Sequence, residues 1–247
     1  MSRPPQQCRL CHEHATLRNS HVIPEFCFKP TYDPIHRAIE INLSAERKRY
    51  IQKGFREHLF CDGCEQLFGD LETYFASEWF HSGKLPESVE CDQIEINGLD
   101  YTKFKLFHHS ILFRASVSSL DQFKSVTLGK NEELLRQMLL SNDAGSEHAF
   151  PFITRILFHP DDNRVAADII VEPQMRRLNG HYVYDFIFGG CCWFYYASKT
   201  QFQALMPYVF DPAGTLHLVA QCLYDHPTIA MFAKNYRSQR NRDKNGA

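Results

Sequence analysis

Over residues 65–80, "EQLFGDLETYFASEWF", the apolar positions recur with a helical period. Leu67, Leu71, Tyr74, Phe75 and Trp79 share one face, which predicts an amphipathic helix of about four turns. Glu65, Asp70, Glu72 and Glu78 read as its opposite, polar face. Upstream the pattern shortens. Residues 1–18 read as a knuckle-like loop with Cys8 and Cys11 at a tight turn. Residues 19–23 favour β structure and stop at Pro24. "HRAIEINLS" and "RYIQKGFREHLF", within 35–60, predict a hairpin or two short strands. Beyond "HSGKLPES" (81–88), a candidate boundary, "FKLFHHSILFRASVSSL" (104–120) and "KNEELLRQMLL" (130–140) read as helices. Residues 151–222 then read as antiparallel sheet. "TRILFHP", "VAADIIVEP", "HYVYDFIFGGCCWFYYAS" and "LHLVAQCLY" are rich in β-branched and aromatic residues, and turn signals such as "PDDN" and "LNG" separate them. The expected class is α+β. A zinc-knuckle module over 1–82 precedes an α+β module over 83–247, with the tail 236–247 expected to be disordered.

Composition adds bounds to this picture. A chain of 247 residues that is 44% apolar and 13% aromatic can bury a substantial core. No run approaches the ~18–20 apolar residues of a membrane span. The start, "MSRPPQQCRL", lacks a signal-peptide core, so a cytoplasmic protein without a membrane partner is expected. The net charge of −2 gives no global sign of a nucleic-acid partner. Two stretches are locally basic, "ERKRYIQKGFR" (46–56) and "KNYRSQRNRDK" (234–244). Walker, G-x-S-x-G, H-E-x-x-H and dinucleotide fingerprints are all missing from the sequence.

Nine cysteines in a reducing compartment are not read as disulfides. Four stand out by spacing: Cys8-x2-Cys11 and Cys61-x2-Cys64. Two such pairs complete a tetrahedral four-cysteine Zn2+ site, because four soft thiolates satisfy the ion. One pair on a loop and one at a helix start is the order of a treble-clef finger. The long separation between the pairs then requires an inserted strand pair. Cys27, Cys91, Cys191, Cys192 and Cys222 are expected to be buried small apolar residues. His12 and His14 are expected at the surface. His108 and His109 cannot both face one ion, because neighbouring helix positions point about 100° apart. Asp168 and Glu172, near the end of "IIVEP", only faintly echo other nuclease folds.

"CRLC", then "SHVIP", then "LFCDGCE" running into a helix resembles the HNH (ββα-metal, treble-clef) nuclease family in its zinc-knuckle form. The resemblance covers under a third of the chain. It implies a phosphodiester hydrolase acting on DNA or RNA, in a defence or mobile-element setting, with His21 as the general base that activates water. It also implies a catalytic Mg2+ or Mn2+, held by the residue before the base and the residue after the second cysteine pair. Those positions are Ser20 and Glu65 here, where the family usually has Asp or His and then His. The family's middle Asn has no clean counterpart; Arg56, Glu57 and His58 are the nearby polar residues, and Asn42 is the only Asn between Pro24 and Cys61. Arg47, Lys48, Arg49, Lys53 and Arg56 are the candidate nucleic-acid contacts. The departures at Ser20 and the middle Asn define an alternative, a zinc-binding module without catalysis that binds nucleic acid or a partner protein.

Overall fold

A computed structural model describes residues 4–42, 47–178, 180–197 and 205–234, and the side chains of 41–49 are not among those described. The basic stretch 234–244 therefore lies almost wholly outside the described residues, as does the tail 236–247.

The chain opens with two short paired strands, β1 (Gln6–Gln7) and β2 (His14–Ala15), which close the loop carrying Cys8 and Cys11. Next comes β3 (Arg18–His21), which pairs antiparallel with β6 (Arg56–Phe60). Between them lie the single-turn helix α1 (Glu25–Phe28) and a hairpin of β4 (Ala38–Asn42) and β5 (Arg47–Ile51). β3 ends at His21, short of Pro24, which stands immediately before α1, where its fixed φ suits the start of a helix. Helix α2 (Asp62–Ala76) begins one residue after Cys61 and widens into a π-helical turn, Ser77–His81. Its buried residues are Cys64, Phe68, Leu71 and Phe75, so the apolar face includes Phe68 and leaves Leu67 and Tyr74 at its margin.

After β7 (Gln93–Ile96), helix α3 (Tyr101–Val117) is buried continuously from Phe104 to Ala115. Asp100 caps it by accepting from the backbone N–H of Lys103 at 3.0 Å. Helix α4 (Lys130–Leu140) follows. The remaining strands are β8 (Phe152–Phe158), β9 (Val171–Leu178), β10 (His181–Phe188), β11 (Cys191–Tyr196) and β12 (Leu216–Cys222). With β7 they form one six-stranded sheet in the order β7-β12-β8-β11-β10-β9. Every pairing is antiparallel except β12 with β8, which run parallel. β9 starts later than "VAADIIVEP" suggested, and Pro173 is tolerated inside it because β9 is an edge strand. A helix over 227–234 ends the described chain.

α3 lies between α2 and the sheet. Phe75 of α2 stacks on Phe107 of α3 at 3.9 Å between centroids, and Trp79 lies 5.1 Å from Trp193 of β11. The Trp79 indole N–H donates to the Gly189 carbonyl at 2.8 Å. One apolar cluster thus runs from Cys8 to Leu218, across residue 82. His108 and His109 are both inside it, consistent with a core role. Cys91, by contrast, is exposed, in the loop that leads to β7. No helix among the described residues is long and apolar enough to cross a membrane.

Candidate metal centre and the strand end beside it

The four cysteines predicted from spacing come together. The Sγ atoms of Cys8, Cys11, Cys61 and Cys64 lie within 4.8 Å of one another. The Cys11 and Cys61 sulfurs are 3.7 Å apart, and Zn–S bonds of ~2.3 Å at the tetrahedral angle set thiolates roughly 3.8 Å apart. The backbone N–H of Cys61 donates to the Cys8 sulfur at 3.4 Å. Hydrogen bonding from the Cys64 thiol and from backbone N–H groups lowers the Cys8 thiol to about 4, while the same contact and burial raise Cys64, and burial raises Cys11. Cys8 thus favours thiolate, the form that a metal binds. Residues and spacing fit one structural Zn2+. His12 and His14 are exposed, as expected.

Ser20 and His21 occupy successive positions of β3, so their side chains leave the strand on opposite sides. Ser20 is buried and donates from its hydroxyl to Glu65 Oε1 at 2.5 Å. Burial raises the Glu65 carboxyl above its usual range, against the opposing pull of that hydrogen bond and of Arg114. Glu72, two turns along α2 from Glu65, is not on a solvent face either. It accepts from Arg114 of α3, Nη1 to Oε1 at 2.6 Å. The same Nη1 donates to the His21 carbonyl at 3.0 Å, and Nη2 donates to Ser110 Oγ at 2.9 Å. The Arg114 guanidinium also lies over the Phe68 ring at 4.8 Å. A buried cation from α3 is thus clamped between α2 and the end of β3.

On the other side of the strand, His21 Nε2 accepts from Arg56 Nε–H at 2.8 Å, and Arg56 also donates to Glu25 at 2.9 Å. The Lys53 carbonyl oxygen is 3.1 Å from the same ring nitrogen. Burial, then the Arg56 charge, lowers the His21 pKa, so the ring is neutral near pH 7. In that state Nε2 is the acceptor for Arg56, and protonating it would turn it towards Lys53. Glu57, opposite Ser20 in the register, faces away from His21 and is held by Ser118 and Ser119. His58 pairs with Asn19 in the ladder. Of the three polar residues preceding Cys61, Arg56 is the one bonded to His21. The Asn42 side chain lies outside the described residues, as do those of Arg47, Lys48 and Arg49. Lys53 is exposed.

Sequence reasoning missed Glu25 and Arg114. Glu25 sits at i+4 from His21, but across a strand–helix junction where that spacing carries no helical meaning. Arg114 carried a signal: it follows the apolar run Ile111–Phe113 in α3, and a charge there must find a partner. Asp168 and Glu172 lie elsewhere, lining a cleft of about 330 Å³ beneath the β4–β5 hairpin. Asp168 is held by His159 and Arg164, and burial raises the Glu172 carboxyl. Comparison of the chain with family models, with curated proteins and with solved structures finds no match.

Proposed function

We propose that residues 8–81 form an HNH-type (ββα-metal, treble-clef) module stapled by one Zn2+. In this chain it serves as a nucleic-acid-binding component without divalent-metal cleavage. The observation that carries the reading is Arg114. Its guanidinium bonds both Glu72 and the His21 carbonyl, and so supplies inside the module the positive charge that Mg2+ or Mn2+ would bring. Two further contacts support it. Ser20 and Glu65, the positions that the family resemblance assigns to the cation, satisfy each other. The Nε2 lone pair that a general base needs is engaged by Arg56.

The β4–β5 hairpin supports nucleic acid as the partner. Residues 35–56 hold six Lys or Arg against two Glu, in a chain of net charge −2. Tyr50 is exposed with the Arg37 guanidinium 4.1 Å above its ring, and Ile35 and Ile39 are exposed nearby. Basic groups beside open aromatic and apolar surface suit phosphate contact and base stacking.

A second reading, a metal-dependent HNH nuclease with His21 as base and Glu65 on Mg2+ or Mn2+, is favoured by one observation. The His21 ring is neutral and only partly covered, and a phosphate drawing Arg56 away would free Nε2. The test is fluorescence anisotropy with labelled single-stranded DNA, duplex DNA and RNA, with gels run after incubation with Mg2+ and with Mn2+. Salt-dependent binding without scission, weakened by Lys53→Glu, is expected. No binding to any of the three at low salt overturns the first reading. Divalent-dependent cleavage that disappears in His21→Ala establishes the second.

A further inference from the structure

The face of the sheet turned away from α3 holds a smaller apolar cluster, built on Leu157, Val183, Ile187, Cys192 and Phe194 and covered by Leu223 and Ile229. Asp185 is buried within it, at 3% exposure. Asp185 pairs with Phe194 and Ile187 with Cys192, so Asp185 and Cys192 are diagonal neighbours on one face of the β10–β11 hairpin. His226, equally buried, arrives from the segment after β12. A carboxylate, a thiol and an imidazole thus share an apolar interior.

Their bonding is incomplete. Arg176 Nε donates to Asp185 Oδ2 at 2.7 Å, and its Nη2 donates to Thr228 at 3.0 Å. Asp185 Oδ1 and His226 Nδ1 have no hydrogen-bond partner among the described residues. Leaving buried polar atoms unmatched forfeits the hydration they had in water, so such atoms are ordinarily paired. His226 Nε2 lies 3.3 Å from Asp185 Oδ2 and 3.6 Å from the Cys192 sulfur. A nucleophilic relay would place thiol and carboxylate on opposite ring nitrogens; here both approach Nε2. A direct N–H···O bond would close to about 2.9 Å. Around a tetrahedral zinc, bonds of ~2.3 Å to sulfur and ~2.05 Å to nitrogen or oxygen set S···N roughly 3.6 Å apart and N···O roughly 3.3 Å. The observed separations are those of ligands around an ion.

We propose that Asp185, Cys192 and His226, whose ligand atoms all lie within 4.8 Å of one another, form a second metal site. It takes Zn2+ or an ion of its borderline-soft class and ties the C-terminal segment to the sheet. On binding, the Cys192 S–H bond breaks, its proton passes to solvent, and a sulfur–metal bond forms. One thiolate and one carboxylate balance the two positive charges of the ion. Arg176 then hydrogen-bonds the liganding carboxylate from outside, and Asp185 Oδ1 or a water completes four-coordination.

The test is metal analysis of the full chain with Co2+ spectroscopy. Two Zn2+ per chain are expected, falling to one in Cys192→Ser and in His226→Gln. Cys192 and His226 are buried, so a variant that does not fold is replaced by a Co2+ titration of the apo wild type. There the second equivalent adds thiolate charge-transfer absorption about a quarter of the first, one sulfur against four. Saturation at one equivalent with four-thiolate absorption overturns the proposal, as does a count of two that Cys192→Ser leaves unchanged. Saturation at one equivalent with one-thiolate absorption supports this site and removes the N-terminal one instead.

Discussion

Arg114→Met is the substitution that most directly probes the join between α2, α3 and the end of β3. The side chain is 3% exposed, and methionine keeps most of its apolar stem against Phe68 while removing the guanidinium. Lost with it are the bonds to Glu72, to the His21 carbonyl and to Ser110. Glu72 is 26% exposed and can recover part of its hydration, whereas the carbonyl and the hydroxyl are left short of a donor. Breaking a buried pair of this kind costs about 3–5 kcal/mol, a large share of the ~5–15 kcal/mol that holds a domain together. At about 2–4 °C per kcal/mol for a chain of this size, the melting temperature should fall by about 10 °C. The assay is urea unfolding of zinc-loaded protein for Arg114→Met, Glu72→Gln and the double variant. A coupling energy of about 2 kcal/mol is expected between the two positions. If Arg114→Met costs under about 1 kcal/mol, or if the two changes add, Arg114 is not the clamp that the reasoning requires.

Two further outcomes follow from the core. Burial, with a smaller push from Lys105, lowers His109 to about 3, and burial holds His108 well below its ordinary value. The unfolded chain therefore binds more protons below about pH 6.5, so the stability held as neutral rings is full above that pH and drains away as pH falls, by about 2 kcal/mol for His109 at pH 5. Urea midpoints at pH 7.5 and pH 5 should show His109→Phe losing about 2 kcal/mol less than wild type across that interval; equal losses would contradict the assignment. The second concerns Gly190, which has φ +81° in the turn joining β10 to β11, where an added Cβ would meet Val165 Cγ1 at 2.4 Å. Gly190→Ala should cost roughly 2 kcal/mol or more by thermal denaturation, and a change within about 0.5 kcal/mol would show that the turn yields freely.

What the sequence made legible was whatever a local period or spacing encodes. α4 matches the stretch 130–140 because its apolar residues repeat at helical spacing, with Gly129 before it at φ +53°. The four cysteines were legible because ligand spacing is a chemical constraint that leaves its mark within three residues. α3 begins earlier than its apolar run, at Tyr101, because Asp100 caps it. β9 begins later than its apolar run because the chain turns first, where His159 and Arg164 hold Asp168. The contacts around His21 were hidden for a different reason. Arg114 reaches Glu72 across 42 residues and the His21 carbonyl across 93, and no periodicity registers a partner so distant. The polar face read onto α2 holds at Asp70, which is exposed, and fails at Glu65 and Glu72 for the same reason, since these turn inward to meet Ser20 and Arg114.

The same long-range contacts bear on whether residues 1–82 can stand alone. Zinc binding at a four-cysteine site contributes about 10–16 kcal/mol of coupled folding. Cutting after residue 82 strips Phe75 of Phe107 and Trp79 of Trp193 and of its Gly189 acceptor. Two aromatic side chains at about 200 Å² each and about 25 cal/mol per Å² amount to ~10 kcal/mol. The two terms are of one size, so the fragment should fold only with Zn2+ present and should present Phe75 and Trp79 as an open apolar patch. It should also lose the Arg114 clamp, leaving Glu65 and Glu72 facing each other without a cation. Size-exclusion chromatography and circular dichroism of the fragment with and without Zn2+ decide the matter. Zinc-dependent structure accompanied by self-association is expected. A monomer that stays folded after chelation would mean that neither the metal nor the rest of the chain holds the module together. In that case the closing of its centre by Arg114 would be incidental to the fold.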